Sequence, residues 1–294
     1  MISILIPIYN FDASDLLKEL FEQSKRVKEK VEIIVYDDHS SRFVQKNKIQ
    51  TKKLQIPYYH LPKNVGRSRI RNLMSKVANH EFILFLDGDI FPKSINFIQN
   101  YIENIRPNTE VIYGGRTHEY KMENKDKLRW KYGYYREDKS VEEREKKPYL
   151  SLISNNLLIK KALFTGIYFE ESLSTYGHED TLLALKLKEK QCQCLHIENP
   201  VLHMGIDENY VFIDKTELAL KNLKMLLDSQ DLKNADIKIL KVFKILKNLR
   251  LLNIFSAIYD KVEFKLKNIL IRNGGSLFLF DVYKLGYFVK ISQS

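Results

Sequence analysis

Two carboxylates, Asp87 and Asp89, flank Gly88 directly after the apolar run Phe82-Ile83-Leu84-Phe85-Leu86. With no basic residue nearby in sequence to neutralise them, such groups repel unless a cation lies between them. Hard oxygen donors favour Mg2+ or Mn2+, ions that often carry phosphate oxygens as further ligands. Asp-Gly is also a common turn dipeptide, so the triplet alone supports either a turn or a site for a divalent metal and a phosphorylated ligand. A second acidic pair, Glu179-Asp180, reads as an acidic helix N-terminus favoured by the macrodipole. On a helix the two side chains point about 100° apart. Arg67 and Arg71 fall four residues apart on one helical face, suited to a diphosphate or to solvent.

The elements that must position these groups follow from the apolar pattern. Five apolar residues bounded by turn residues predict a strand buried on both faces of a parallel sheet, and such sheets bind ligands beyond the carboxyl ends of their strands. Ile2 to Ile8 predicts a first strand ending at Pro7-Ile8-Tyr9-Asn10, and Asp12 or Ser14 can cap the helix that carries Leu16, Leu17, Leu20 and Phe21. Val31 to Tyr36 predicts a second strand ending at Asp37-Asp38-His39-Ser40. Tyr58 to Leu61 predicts a short third, after which Asn64-Val65-Gly66 turns into the helix with Arg67 and Arg71. No glycine-rich phosphate loop follows the first strand. Cys192, Cys194 and His196 alternate as if on one face of a strand, but same-face neighbours lie about 7 Å apart, so buried thiols fit better than a zinc site.

Composition bounds the rest. With 294 residues, 44% apolar and 29% charged, the chain is long enough for a large α/β domain plus an extension, and 11 glycines with 7 prolines leave little room for disordered linkers. Two cysteines do not make a disulfide scaffold. The start reads as a strand rather than a signal peptide, so a cytoplasmic protein is expected. The net charge of +11 implies an anionic partner, and no nucleic-acid-binding motif accompanies it.

Taken in order, Pro7-x-Tyr9-Asn10, Asp37-Asp38-x-Ser40, Asn64-x-Gly66 with Arg71-Asn72, and Asp87-x-Asp89 resemble the family 2 glycosyltransferases of GT-A fold. The similarity continues through Ser154-Asn155-Asn156, Phe169-Glu170-Glu171 and Gly177-His178-Glu179-Asp180, covering roughly residues 1 to 210. The resemblance implies a Rossmann-like, mixed but mostly parallel sheet flanked by helices, with a nucleotide-sugar half (1–115) and an acceptor half (116–210). It implies a metal-dependent inverting transfer from a nucleotide-sugar, most naturally a UDP-sugar, to a glycan or lipid-linked acceptor in surface polysaccharide synthesis, with Mn2+ or Mg2+ as cofactor. On it, Pro7, Tyr9, Asn10, Asp38, Gly66, Arg71, Asp87 and Gly88 would bind the donor, with Tyr9 stacking on the base and Asp38 accepting from uracil N3. Asp89 and His203 would hold the metal, and Asp180, or the adjacent Glu179, would be the base. The family often has a further acidic residue after the triplet; here Ile90 stands there. Rival readings are a non-catalytic GT-A relative that binds a nucleotide, glycan or protein, and a haloacid-dehalogenase-like phosphatase, whose nucleophile would lie on the first strand.

Tyr113-Gly114-Gly115-Arg116 is expected to end a strand near the sugar. Residues 117–148 mix charges with Trp130, Tyr132, Tyr134 and Tyr135, as an acceptor-facing lid or as an ordinary helical insertion. Residues 211–294 read as a mainly helical, basic extension. In it Ile237 to Lys247 sets lysines against an aliphatic stripe, suited to packing on the catalytic domain, to oligomer contact or to peripheral attachment at a membrane. The apolar stretch 274–291 is broken by Asp281, Lys284 and Lys290 and is not expected to span a bilayer.

Overall fold

The computed structural model describes residues 1–173, 175–229, 232 and 236–293. Its strands are β1 (Ile2–Ile8), β2 (Val31–Asp37), β3 (Tyr58–His60), β4 (Phe82–Leu86), β5 (Ile90–Pro92), β6 (Val111–Tyr113), β7 (Arg116–Thr117), β8 (Asn156–Lys160), β9 (Cys194–His196) and β10 (Val201–His203). Seven of them form a sheet in the order β3-β2-β1-β4-β8-β6-β9, and β5-β10-β7 form a small second sheet. β1 pairs in parallel with β2 and β4, and β2 with β3, whereas β8 runs antiparallel between β4 and β6. The expected mixed, mostly parallel sheet flanked by helices is therefore present.

The unbroken apolar runs are explained by burial on both faces. Ile2, Ile4, Ile6 and Ile8 of β1, with Phe82, Leu84 and Leu86 of β4, pack on one face against Leu16, Leu17 and Leu20 of the helix Ser14–Arg26. Leu5, Ile83 and Phe85 point to the other face, against Ile70 and Met74 of the helix Arg67–Val77. Parallel pairing in register brings the ends of β1 and β2 level, with Ile8 opposite Asp37.

Two local expectations change. The helix Ser14–Arg26 has Ala13 at its N-cap and no side-chain cap. Asp12 Oδ1 instead accepts from the Ser14 amide (3.1 Å) and Asn47 Oδ1 from the Ala13 amide (3.0 Å), so neighbouring side chains satisfy the first amides. Arg67 and Arg71 do not form a solvated basic face together: Arg71 is 1% exposed and turns inward, and only Arg67 is exposed.

The chain divides into two compact units. Met1–Glu119, Asp138–Ser174 and Glu179–Gly205 make up the unit that contains both sheets; Tyr120–Glu137, Thr175–His178 and Ile206–Ser294 make up a helical unit. The helical unit contains Leu128–Tyr132, the π-helical turn Gly133–Glu137, and the long helices Asn209–Asp228, Lys238–Asn248, Leu252–Asn273 and Leu277–Gln293. Leu128, Phe212, Ile213, Tyr259, Leu270, Phe280 and Tyr283 form its core. The aromatics expected to be a lid or an insertion lie in this unit, where Trp130 stacks on Tyr134 with centroids 5.0 Å apart. No helix among the described residues is long and apolar enough to cross a membrane.

Candidate active site

Asp87 and Asp89 leave β4 toward different partners. Asp87 Oδ1 accepts from Arg71 Nη2 in a charge-assisted bond. The Arg71 guanidinium also donates to the Arg67 carbonyl (3.2 Å) and lies over the Phe169 ring (5.6 Å). A guanidinium from the helix Arg67–Val77 thus offsets the charge of Asp87. Gly88 sits against the end of β1, where a Cβ would come 3.1 Å from the Pro7 carbonyl oxygen.

Asp89 faces β10. His203 opposes Ile90 in the β5–β10 ladder, its Nε2 lies 3.5 Å from Asp89 Oδ2, and the Met204 amide donates to the Asp89 carbonyl (2.8 Å). His203 Nδ1 is buried without a hydrogen-bond partner among the described residues. The orientation of this ring therefore rests on strand pairing and on an edge-to-face contact with His118, with centroids 5.2 Å apart. His118 is held in turn by Asp138, which accepts from its backbone amide (2.7 Å) and sits 2.8 Å from its Nδ1. A carboxylate only accepts, so Nδ1 carries the proton. Sequence reasoning missed both residues: a lone histidine and an aspartate across a long excursion have no spacing that joins them.

A carboxylate beside an imidazole suits Mn2+, and Mg2+ less because it prefers oxygen alone. Among the described residues no three His, Cys, Asp or Glu side chains gather around one point. The residues present therefore fit a divalent ion that Asp89 and His203 would hold in part, with other ligands needed to complete it.

The residues expected to bind a donor lie along the carboxyl ends of β1, β2 and β4. Asp38 accepts from the amides of Val65 (2.7 Å) and Gly66 (3.0 Å), so the Asn64–Gly66 turn is folded around its carboxylate. Gly66 serves there because its φ is +84°. Burial raises the Asp38 pKa, and these two amides oppose the shift. The neighbouring Asp37 is committed within the protein to Ser40 N (2.7 Å) and Tyr58 Oη (2.5 Å). Tyr9 is 58% exposed, leaving its ring open to stacking. Asn10 Oδ1 accepts from the amides of Ser41 and Arg42, so this side chain shapes the loop after β2.

Glu179 and Asp180 open the helix Glu179–Glu189. Glu179 is buried and lies 3.6 Å from Arg67 Nη1. Asp180 Oδ1 accepts from the Ser154 amide (3.1 Å). Burial, and then the adjacent Glu179 charge, push the Asp180 pKa up to about 6, while Arg71 opposes the rise. A carboxylate raised this far has the proton affinity of a base working near neutrality. Next to Ser154, the buried Asn155 amide has no hydrogen-bond partner among the described residues, an arrangement that a ligand hydroxyl or a water would complete. Cys192 is buried, Cys194 is half-buried and His196 Nε2 lies 3.1 Å from the Pro148 carbonyl, and the three side chains are not among any cluster of potential metal ligands in the described residues.

The sequence profile described as glycosyl transferase family 2 matches residues 3–166. No curated protein matches the chain. Among solved structures, the mannosyltransferase PcManGT from Pyrobaculum calidifontis, in complex with GDP-Man and Mn2+, is similar with a TM-score of 0.60 at 10% identity over 99% of this chain and 86% of that one. Glucosyl-3-phosphoglycerate synthase from Mycobacterium tuberculosis, in complex with Mn2+, UDP and glucosyl-3-phosphoglycerate, has a TM-score of 0.51 at 14% identity, over 78% of this chain and 79% of that one. S. aureus TarS has a TM-score of 0.50 at 18% identity over 81% of this chain, which spans only 40% of the TarS chain. At these identities the likeness is one of fold.

Proposed function

Since the chain belongs to glycosyltransferase family 2, we propose that it transfers a sugar, with inversion, from a UDP-sugar to a hydroxyl of a glycan or lipid-linked acceptor, with Mn2+ or Mg2+ at Asp89 and His203. The observation that carries this reading is the place of Arg71. Its guanidinium pairs with Asp87 on the donor side, and its charge acts on Asp180 on the acceptor side. One buried cation therefore spans the two groups that a single displacement needs close together.

In that reaction Asp180 takes the proton of the acceptor hydroxyl. The oxygen attacks the anomeric carbon from the face opposite the phosphate, the carbon–oxygen bond to the diphosphate breaks, and its electron pair leaves with the nucleotide. A bound divalent ion would offset the charge on the leaving diphosphate. Asp89 and His203 would hold it, with His118, fixed by Asp138, keeping the His203 ring in position. Arg71 has a second role, restraining Asp180 from a still higher pKa so that its base form is available at neutral pH.

The preference for uracil rests on Asp38 beside the exposed Tyr9, since a carboxylate accepts from the N3–H of uracil and retains lone pairs beyond those used by Val65 and Gly66. A role in surface polysaccharide synthesis is supported by the family resemblance. Calorimetry with UDP and with GDP, in Mn2+ and in EDTA, tests the reading. UDP binding that needs the metal, is weak for GDP and disappears in Asp89→Ala is expected. A folded protein that binds neither nucleotide would overturn it in favour of a non-catalytic relative.

A further inference from the structure

In the helical unit, the helix Leu252–Asn273 sorts its residues by face. Tyr259 and Leu270 enter the core, while Asp260 and Glu263 turn toward Lys290 at 3.6 and 2.5 Å. Leu251, Ile254, Ile258 and Val262 recur at three- and four-residue spacing on another side, and all are exposed, Ile254 and Ile258 to 59% each. The preceding helix Lys238–Asn248 does the same. Leu240 and Phe243 are buried, whereas Ile245 and, just past the helix end, Leu249 stand 56% and 62% exposed. Single exposed aliphatics are ordinary; four along one side of the helix Leu252–Asn273, with two more at the end of the helix before it, form an apolar strip.

Charge follows the same strip. Lys238 and Lys241 precede Ile245 by seven and four residues, and Lys261 and Lys265 follow Ile258 by three and seven, so each lies along a stripe, and all four are exposed. The acidic residues of the second helix are on the side that meets Lys290. We propose that this strip rests on an anionic lipid bilayer, with the aliphatic side chains in the interface and the lysines at the headgroups. A second copy of the chain is a poorer occupant, because apposing two such strips would bring like charges together. Lys241 is paired with Asp236 within the chain, and an anionic surface would supply the counterions for Lys238, Lys261 and Lys265.

The test is co-sedimentation of the full chain with vesicles of phosphatidylcholine and of phosphatidylcholine mixed with phosphatidylglycerol, together with light scattering. Binding to the anionic vesicles alone, weakening as salt rises, is expected. Ile254→Asp with Ile258→Asp should lower it about tenfold or more, and Lys261→Gln with Lys265→Gln about fivefold per lysine. Circular dichroism and UDP affinity should be unchanged in both variants, which alter exposed side chains only. No binding to anionic vesicles, equal binding by both variants and the parent, or a parent dimer that the aspartate variant splits would each overturn the proposal.

Discussion

Gly205 lacks a side chain where Asp89 needs room: a Cβ at position 205 would stand 2.5 Å from Asp89 Oδ2. The obstructed group is the end of a flexible side chain, so Gly205→Ala should turn the Asp89 carboxylate aside without unfolding the sheet. A shift in Tm of about 3 °C or less is expected. Mn2+ affinity in the presence of UDP should fall about tenfold or more, as read by calorimetry or by the Mn2+ spin-resonance signal. Unchanged affinity would remove Asp89 from the metal site.

Asp180→Asn should gain stability and lose activity. With the folded pKa at about 6 and an ordinary value near 4, the folded chain holds a proton between these pH values that the unfolded chain has released. Stability therefore falls as pH rises through this window. At pH 7 the amide variant should be more stable by about 1 to 3 kcal/mol in urea unfolding, with the difference closing below about pH 4. Transfer should drop about 100- to 10,000-fold with UDP affinity retained, and the parent rate should climb through pH about 6 as the base form appears. A variant that keeps the full rate would show that another group takes the proton.

Arg71→Met strands the Asp87 carboxylate without its countercharge and should cost about 3 kcal/mol. Adding Asp87→Asn removes that stranded charge and should recover part of the loss, while UDP binding stays impaired in both. If the double variant were no more stable than the single one, the main role of Arg71 would be packing on Phe169 rather than charge compensation.

Asp138→Ala leaves the buried His118 ring and amide without their acceptor, at a cost of about 2 kcal/mol. Because the His203 ring leans on His118, Mn2+ affinity should fall about tenfold. His118→Phe preserves the ring contact without needing Asp138, so its Mn2+ affinity should lie closer to that of the parent than His118→Ala does. Equal affinities in those two variants would show that the ring contact does not position His203.

The central strands are legible in the sequence because burial on both faces leaves a continuous apolar run, as in β1 and β4. β5, β7 and β10 have two or three residues each, too few for any period, and yet they bring His203 to Asp89. The Asp87–Arg71 bond joins residues 16 apart. The types of both residues are visible in the sequence, but that a guanidinium turns inward from a helix and meets a strand end follows only from packing. Asp180 stands out as half of an acidic pair, whereas its elevated pKa depends on burial and on Ser154, Glu179 and Arg71, which the fold assembles. The aliphatic stripe of Ile237 to Lys247 was legible as one set, and the structure splits it between core and surface.

His118 and Asp138 lie 20 residues apart and are joined twice, through backbone amide and ring. Seen from the sheet, everything between them is a loop already tied at its neck. The entropy of closing such a loop grows only with the logarithm of its length, so the tie at His118 restrains the chain just after β7 in a way that depends little on how many residues intervene.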